Sequence, residues 1–314
     1  MKAWQYVGAG QPLTLNDIEE PVARPGELAV SVKAVGLCHS DVGILEGVIP
    51  EALLGSVPQT LGHEVAGTVS ALGEGVTGFQ IGDRIGLHMG AHGPGMGIPG
   101  GYASTVTVPA TNVVRIPDSV PFPEAAAATD AGMTPYHAIA VAGGVATGTR
   151  VGIIGLGGLG FNAAQVALAL GAEVYAAEPR TEVHSLATDL GVTRVVTDVA
   201  ELAELQLDVI ADFAGFGTTT AGAVLAVRPG GRVVLVGVGR AETTINTPVF
   251  IQNEVHLVGS SGGSLDDLAA YYELVASGRI KPVISTITFD EIKDGLEHVA
   301  DGKVTGRLVA VLGE

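Results

Sequence analysis

The chain has 314 residues, with 16 Lys+Arg against 33 Asp+Glu, a formal charge of −17, 46 glycines and one cysteine. The length suggests two domains or one large one with a sizeable core. The charge disfavours nucleic acid, whose phosphates would be repelled, and leaves no basic patch for an anionic membrane. A single cysteine excludes an intrachain disulfide, and nothing points to an oxidising compartment.

A mean hydropathy of +0.42 calls for a membrane check. Residues 151–172 and 85–114 are the long uncharged or nearly uncharged stretches. The first carries six glycines with Asn162 and Gln165, and the second is broken by Pro94, Pro99 and Pro109. A spanning helix needs about 20 predominantly apolar, helix-compatible residues, and neither stretch qualifies. The first residues, Met-Lys-Ala-Trp-Gln-Tyr, have no apolar core or cleavage site of a secretory leader. A cytoplasmic location is expected.

Roughly the first 130 residues alternate short β-rich runs with Gly/Pro turns, the pattern of an irregular β domain. Residues 28–35 alternate apolar and polar side chains, and 68–72 read as a strand followed by turns at Gly73 and Gly82. Residues 86–101, GLHMGAHGPGMGIPGG, are too rich in Gly and Pro for a helix or central strand. A mobile loop at a site mouth or a subunit contact is expected there, with His88 and His92 as structural or substrate-side residues.

From residue 150 the rhythm changes. Strands are expected at 150–154, 173–177, 194–196, 208–213, 231–238 and 255–258, with helices at 159–170 and 183–190 between them. Strands alternating with helices indicate a parallel sheet covered on both faces. Helices at 265–276 and 290–300 and a strand at 307–312 close the chain. The fold class is therefore α/β, with a β-rich domain and a doubly wound parallel-sheet domain expected to pack about a cleft.

Gly155-Leu156-Gly157-Gly158-Leu159-Gly160 fits G-x-G-x-x-G, follows a strand and opens a helix. Gly155 permits the tight turn, Gly157 lets the backbone approach a pyrophosphate, and Gly160 lets helix pack on strand, while the helix N-terminus, with Gly158 and Leu159, faces phosphate. Glu178 ends the next strand, where an acid accepts hydrogen bonds from an adenosine ribose and repels a 2′-phosphate. NAD is thus expected over NADP, a preference that Arg180 weakens because its charge suits a phosphate.

Three further clusters place polar residues in apolar or turn-like settings: Cys38-His39-Ser40-Asp41, Gly62-His63-Glu64, and Thr129-Asp130-Ala131-Gly132. Each has an ordinary reading. A lone Cys is commonly a small buried hydrophobe, a lone His a satisfied core residue, and Asp130 a cap or turn residue after four alanines. Spacing alone does not choose a metal.

Taken in order, Cys38-His39-Ser40-Asp41, Gly62-His63-Glu64-Val65-Ala66-Gly67, Gly82-Asp83 and the Gly155–Gly160 turn resemble the medium-chain zinc-dependent alcohol dehydrogenases. The likeness extends from Met1-Lys2-Ala3 to Gly306-Arg307-Leu308. Asp130-Ala131-Gly132 and the following Met133-Thr134-Pro135-Tyr136-His137 resemble the bacterial secondary-alcohol dehydrogenases in particular.

The resemblance implies a GroES-like catalytic domain (residues 1–131 and 261–314), a Rossmann domain (132–260) and one catalytic Zn²⁺ held by Cys38, His63 and Asp130. A fourth position would stay open, as catalytic zinc requires. It further implies that Asp41 orients His63, that Glu64 stands beside the metal as an occasional ligand, and that Ser40 passes on the alcohol proton. His39 and Arg307 would lie near cofactor phosphates, although Arg307 reads equally as a plain surface charge. Two departures stand out. The four cysteines of a structural-zinc lobe are missing, so no structural zinc is expected, and the position where relatives end the proton relay with a His is Gly43.

The expected activity is NAD(H)-linked interconversion of a secondary alcohol and its ketone, or an aldehyde, by a homodimer or homotetramer. Pairing through residues 255–258 would join the subunits. Two other readings remain: a zinc-free enone or quinone reductase of the same fold, which would lack the Cys and His ligands, and an NAD-binding protein that turns nothing over.

Overall fold

A computed structural model describes residues 1–90 and 93–313 and divides them into two compact units. The first comprises Met1–Met133, Ser264–Ala276 and Ile284 to the C-terminus; the second comprises Thr134–Gly263 and Ser277–Val283.

The first unit is organised by one long strand, Glu27–Leu37. It pairs antiparallel with Glu64–Leu72, Thr105–Pro109 and Arg307–Val311. Arg84–Leu87 and Val113–Arg115 extend the sheet on one side, and Ile284–Thr288 on the other. Val30, Val32, Val35 and Leu37 of the central strand pack with Leu61, Val65, Ile85, Tyr102 and Leu308 in one buried cluster. β-branched side chains suit this pleated, enclosed surface. A smaller sheet pairs Lys2–Tyr6 with Thr14–Asp17 and Gln59–Thr60.

The alanine-rich segment before Asp130 is helical. Phe122–Ala127 starts with Pro123 in its first turn, a position where the missing N–H costs nothing. It runs into a π-helical turn, Ala128–Gly132. Such a turn adds a residue, re-aims the side chains after it, and occurs frequently at functional sites. Asp130 sits in it. Two tyrosines of the helix Leu265–Ala276 brace this segment: Tyr272 donates to Ala125 O at 3.0 Å, and the Tyr271 ring fills the space beside Gly132, where a Cβ would come within 2.3 Å of the ring.

The second unit carries a six-stranded parallel sheet in the order Arg194–Val196, Glu173–Ala177, Arg150–Ile154, Leu207–Asp212, Val227–Leu235, His256–Gly259. The order reverses between Arg150–Ile154 and Leu207–Asp212, and ligands of such sheets bind outside the carboxyl ends at that switch point. The apolar stretch 151–172 resolves into a strand and the helix Gly158–Ala169. No helix among the described residues is long and apolar enough to cross a membrane.

Three expectations need correction. Residues 277–283 group with the parallel-sheet unit rather than with the β-rich one, because Lys281 N–H donates to Gln165 Oε1 at 2.9 Å and Arg279 bonds to Ala169 O. The strand expected at 231–238 begins four residues earlier and ends at Leu235. The Gly/Pro-rich segment is tied down where it is described: Gln59 donates to Met96 O and Ile98 O at 3.0 and 2.8 Å, and Gly100 and Gly101 N–H donate to Thr60 O and Gly62 O. Gln59 is buried, so those carbonyls have a partner in place of water. His92 lies outside the described residues.

Candidate metal and dinucleotide sites

Four segments distant in sequence converge at one end of the central strand of the first unit. Cys38 follows Glu27–Leu37 and caps the short helix His39–Leu45. Asp41, three residues into that helix, reaches back to accept the Cys38 N–H at 3.1 Å. His63 and Glu64 open the neighbouring strand, where register pairs Glu64 with Gly36. A Cβ on Gly36 would lie 1.9 Å from Glu64 Oε2, so only glycine leaves room for this carboxylate. Asp130 arrives from the π-helical turn. Arg307 begins the last strand, whose register pairs Leu308 with Leu37.

The result is a buried cluster. One donor atom each from Cys38, His63, Glu64 and Asp130 lies within 4.8 Å of the others. Cys38 Sγ is 3.4 Å from Asp130 Oδ2, His63 Nε2 is 3.5 Å from the same oxygen, and His63 Nδ1 is 3.4 Å from Asp41 Oδ1. Arg307 places Nη2 3.1 Å from Glu64 Oε1 and 3.6 Å from Asp130 Oδ2, and Nη1 donates to Leu37 O. It is 5% exposed, which rules out a plain surface charge. The Ser40 hydroxyl donates to Cys38 Sγ at 3.0 Å.

Electrostatics follow from this crowding. Burial opposes ionisation of the Cys38 thiol, yet its pKa is lowered, because the Arg307 guanidinium and the His63 ring favour the thiolate. Burial likewise opposes charging His63, but Asp41 and Asp130 raise its pKa well above the usual value. Glu64 is pushed well upward by burial and by the negative charges of Asp130 and Cys38, which together outweigh Arg307.

Both ring nitrogens of His63 and both carboxylate oxygens of Glu64 are buried without a hydrogen-bond partner. Buried polar atoms are ordinarily satisfied, and leaving them otherwise costs about 1–3 kcal/mol each. A thiolate, an imidazole and a carboxylate converging with a second carboxylate alongside form a donor set that suits zinc. The residues fit such an ion.

The parallel-sheet unit holds the other site, built mainly from backbone. Gly155 adopts a φ of +86° and closes the turn with its N–H on Ala177 O at 2.9 Å. Gly157 has nothing within 4 Å of its would-be Cβ, and it caps the helix Gly158–Ala169, so the first N–H groups, at Gly158 and Leu159, open outward. Gly160 is different: a Cβ there would lie 1.8 Å from Gly155 O.

Glu178 is 4% exposed, and its carboxylate is fully engaged. Leu156 N–H donates to Oε2 at 2.7 Å, Arg180 N–H to Oε1 at 3.0 Å, and the Arg180 guanidinium forks onto both oxygens. Burial resists ionisation, but these donors hold its pKa below the ordinary carboxylate range. Arg180 also donates to Leu156 O at 3.1 Å, so it braces the glycine-rich turn. The free acceptor expected at Glu178 is therefore shared with Arg180.

Among the other residues singled out, His39 is exposed at the start of its helix, and Tyr136 and His137 are half-buried. Three residues escaped sequence reasoning. Tyr102 donates its hydroxyl to Asp41 Oδ2 at 3.0 Å. Tyr271 backs the Asp130 turn. Asp212, fully buried, accepts Ala214 and Gly215 N–H groups and the Thr219 and Thr220 hydroxyls, shaping the loop after its strand. Only Asp212 had a local signal: an acid ending an apolar run before Gly215 and Gly217.

Comparison with known proteins agrees with this geometry. Residues 24–118 match the alcohol dehydrogenase GroES-like domain, and residues 158–277 match the zinc-binding dehydrogenase domain. An alcohol dehydrogenase of Geobacillus stearothermophilus is 32% identical over 338 residues, covering 98% of this chain and 99% of the relative. The chain belongs to the alcohol dehydrogenase family. Among solved structures of related proteins, an acetophenone reductase of Geotrichum candidum in complex with NAD aligns with a TM-score of 0.91 at 31% identity, covering 99% of this chain and 96% of that one. A cobalt- and zinc-bound thermostable alcohol dehydrogenase of Pyrobaculum aerophilum aligns at 0.90 and 26% identity, covering 99% of each.

Proposed function

We propose that this alcohol dehydrogenase interconverts secondary alcohols and ketones with NAD(H), using one zinc ion held by Cys38, His63 and Asp130. The observation that carries the reading is the buried convergence of these three donors with Glu64, in which the His63 ring nitrogens and the Glu64 carboxylate oxygens make no hydrogen bond. Bound there, zinc supplies Lewis acidity toward an alcohol or carbonyl oxygen, and the nicotinamide supplies the hydride acceptor or donor.

The chain's own residues set the conditions. Asp41 fixes the His63 ring through Nδ1 and leaves Nε2 turned toward Asp130 and Cys38. Arg307 offsets the negative charge of Glu64 and Asp130, which keeps Glu64 as a neighbour of the donors rather than a permanent fourth one. Ser40 takes the alcohol proton toward solvent in this reading, supported by its half-buried position and its hydroxyl bond to Cys38 Sγ. Gly43 stands where a relay histidine would, so water completes that path. The Gly155–Gly160 turn and helix N-terminus receive the pyrophosphate, and the Glu178 charge favours NAD over NADP, a preference reduced by its pairing with Arg180.

A homodimer or a tetramer of dimers in the cytoplasm completes the proposal. The oligomer is supported by the outer edge of His256–Gly259, which pairs with no further strand among the described residues, and by Ile251 exposed just before it.

Metal analysis of purified protein, alongside NAD- and NADP-linked turnover of secondary alcohols, tests this. One zinc per chain, lost in Asp130→Ala together with turnover, supports the reading. A folded, dinucleotide-binding protein that holds no zinc and reduces enones or quinones overturns it.

A further inference from the structure

We infer that Tyr102 is a positioning residue of the metal site, acting through Asp41 on both His63 and Cys38. The inference rests on the zinc reading above. Asp41 is completely buried and sits between two of the donors: Oδ1 faces His63 Nδ1 at 3.4 Å, while Oδ2 accepts the Cys38 N–H at 3.1 Å. Among the described residues, the side-chain hydroxyl on this carboxylate is that of Tyr102, donating to Oδ2 at 3.0 Å. Without it, Oδ2 keeps the Cys38 N–H alone and the angle of the carboxylate toward His63 is less constrained. With it, the carboxylate is held at one angle for both.

Tyr102 is itself held firmly. Its backbone N–H donates to Leu61 O, its carbonyl accepts from Trp4 N–H, and the side chain is wholly buried. Its ring lies against Gly62, where a Cβ would come within 2.4 Å. Gly62 has a φ of +89° and directly precedes His63. One residue thus touches the peptide that presents the His63 ring and the carboxylate that orients it. Burial and the nearby Asp41 keep the phenol protonated, hence a donor.

Tyr102→Phe removes one oxygen and leaves the ring packing intact. Outer partners of metal-binding histidines contribute about 10–100-fold to metal affinity, so we expect zinc transfer to a chelator to become about 10-fold faster in folded Tyr102→Phe protein. Cobalt-substituted protein should show an altered visible spectrum, because the angle of a ligand to the ion changes. Tyr6→Phe, which deletes a hydroxyl bound to Glu51 at 2.9 Å, should change neither readout. Asp41→Asn should reproduce the spectral change, and adding Tyr102→Phe to it should have no further effect on release.

Wild-type-like release and spectrum in folded Tyr102→Phe overturn the inference, as do effects of Tyr102→Phe and Asp41→Asn that multiply. Should Tyr102→Phe not fold, an unchanged cobalt spectrum in Asp41→Asn overturns it instead. Wild-type protein that takes up no metal overturns the zinc reading as well, and so separates the two failures.

Discussion

The two sites satisfy their polar groups in opposite ways. At the convergence of Cys38, His63, Glu64 and Asp130, both ring nitrogens of His63 and both carboxylate oxygens of Glu64 are buried without a hydrogen bond, and the Glu64 carboxylate is met only by the Arg307 ion pair at 3.1 Å among the described residues. Around the glycine-rich turn, Glu178 accepts four donors, and Gly155 N–H is bonded to Ala177 O. The first arrangement favours a cation that accepts lone pairs. The second is complete as protein and offers a surface for a ligand to dock against. Loss of a ligand should therefore be felt in the structure of the first site and mainly in binding at the second.

The largest effect expected from this contrast is at the donors. Cys38→Ser or Asp130→Ala should lower kcat/KM by about 1,000-fold or more, the equivalent of several kcal/mol of charge stabilisation. Zinc content measured on the same samples must fall in parallel. Equal zinc with lost turnover would assign these residues another role.

Metal removal comes next. Stripping zinc with a chelator should lower the thermal midpoint by several degrees, since a ligand bound only by the folded chain stabilises it by mass action. Removing NAD from zinc-loaded protein should have the smaller effect. The reverse order would break the comparison.

Two glycines of one motif separate folding from binding. Gly160→Ala drives a Cβ to 1.8 Å from Gly155 O and should destabilise the protein by about 1–3 kcal/mol, read by denaturant unfolding. Gly157→Val meets open space and should leave stability within about 0.5 kcal/mol, as surface changes do. It should still weaken NAD binding about 10-fold or more in a fluorescence titration, because its side chain occupies the pyrophosphate's approach.

The smallest effect concerns acid stability. Glu178 has a depressed pKa in the folded state, so its contribution is present above the unfolded value, about 4.3, and is lost as pH falls through the folded one. Glu178→Gln should therefore flatten the acid limb of the unfolding midpoint by a few degrees while changing little once the pH is below the folded-state pKa. An unchanged acid limb would show that the Arg180 fork contributes nothing.

The glycine motif was legible because its function lies in contiguous backbone. Positive φ at Gly155, an open approach at Gly157 and close packing at Gly160 are all consequences of a strand–turn–helix within about ten residues. The metal donors were legible as residue types, yet ordinary explanations of each survived until resemblance to a family and then the packing brought them together. Nothing near Arg307 indicates that it is buried beside Glu64 and Asp130, because that follows from strand register with a segment 270 residues away. Tyr102 and Tyr271 were invisible for the same reason: a tyrosine after two glycines, or one on an amphipathic helix, reads as core.

By itself the sequence determined the alternation of strands and helices, the glycine turn, and the supply of one thiol, several histidines and acidic groups in a chain too acidic for nucleic acid. These depend on local periodicity and on the chemistry of single side chains. Only the tertiary structure decided which acid meets which base: that Asp130 lies on a π-helical turn against Tyr271, that Glu178 is shared with Arg180, and that Arg307 faces inward. The first and last depend on long-range register, and the Glu178–Arg180 fork, though local in sequence, depends on burial against the Leu156 turn, which sets the cost of leaving charge unpaired.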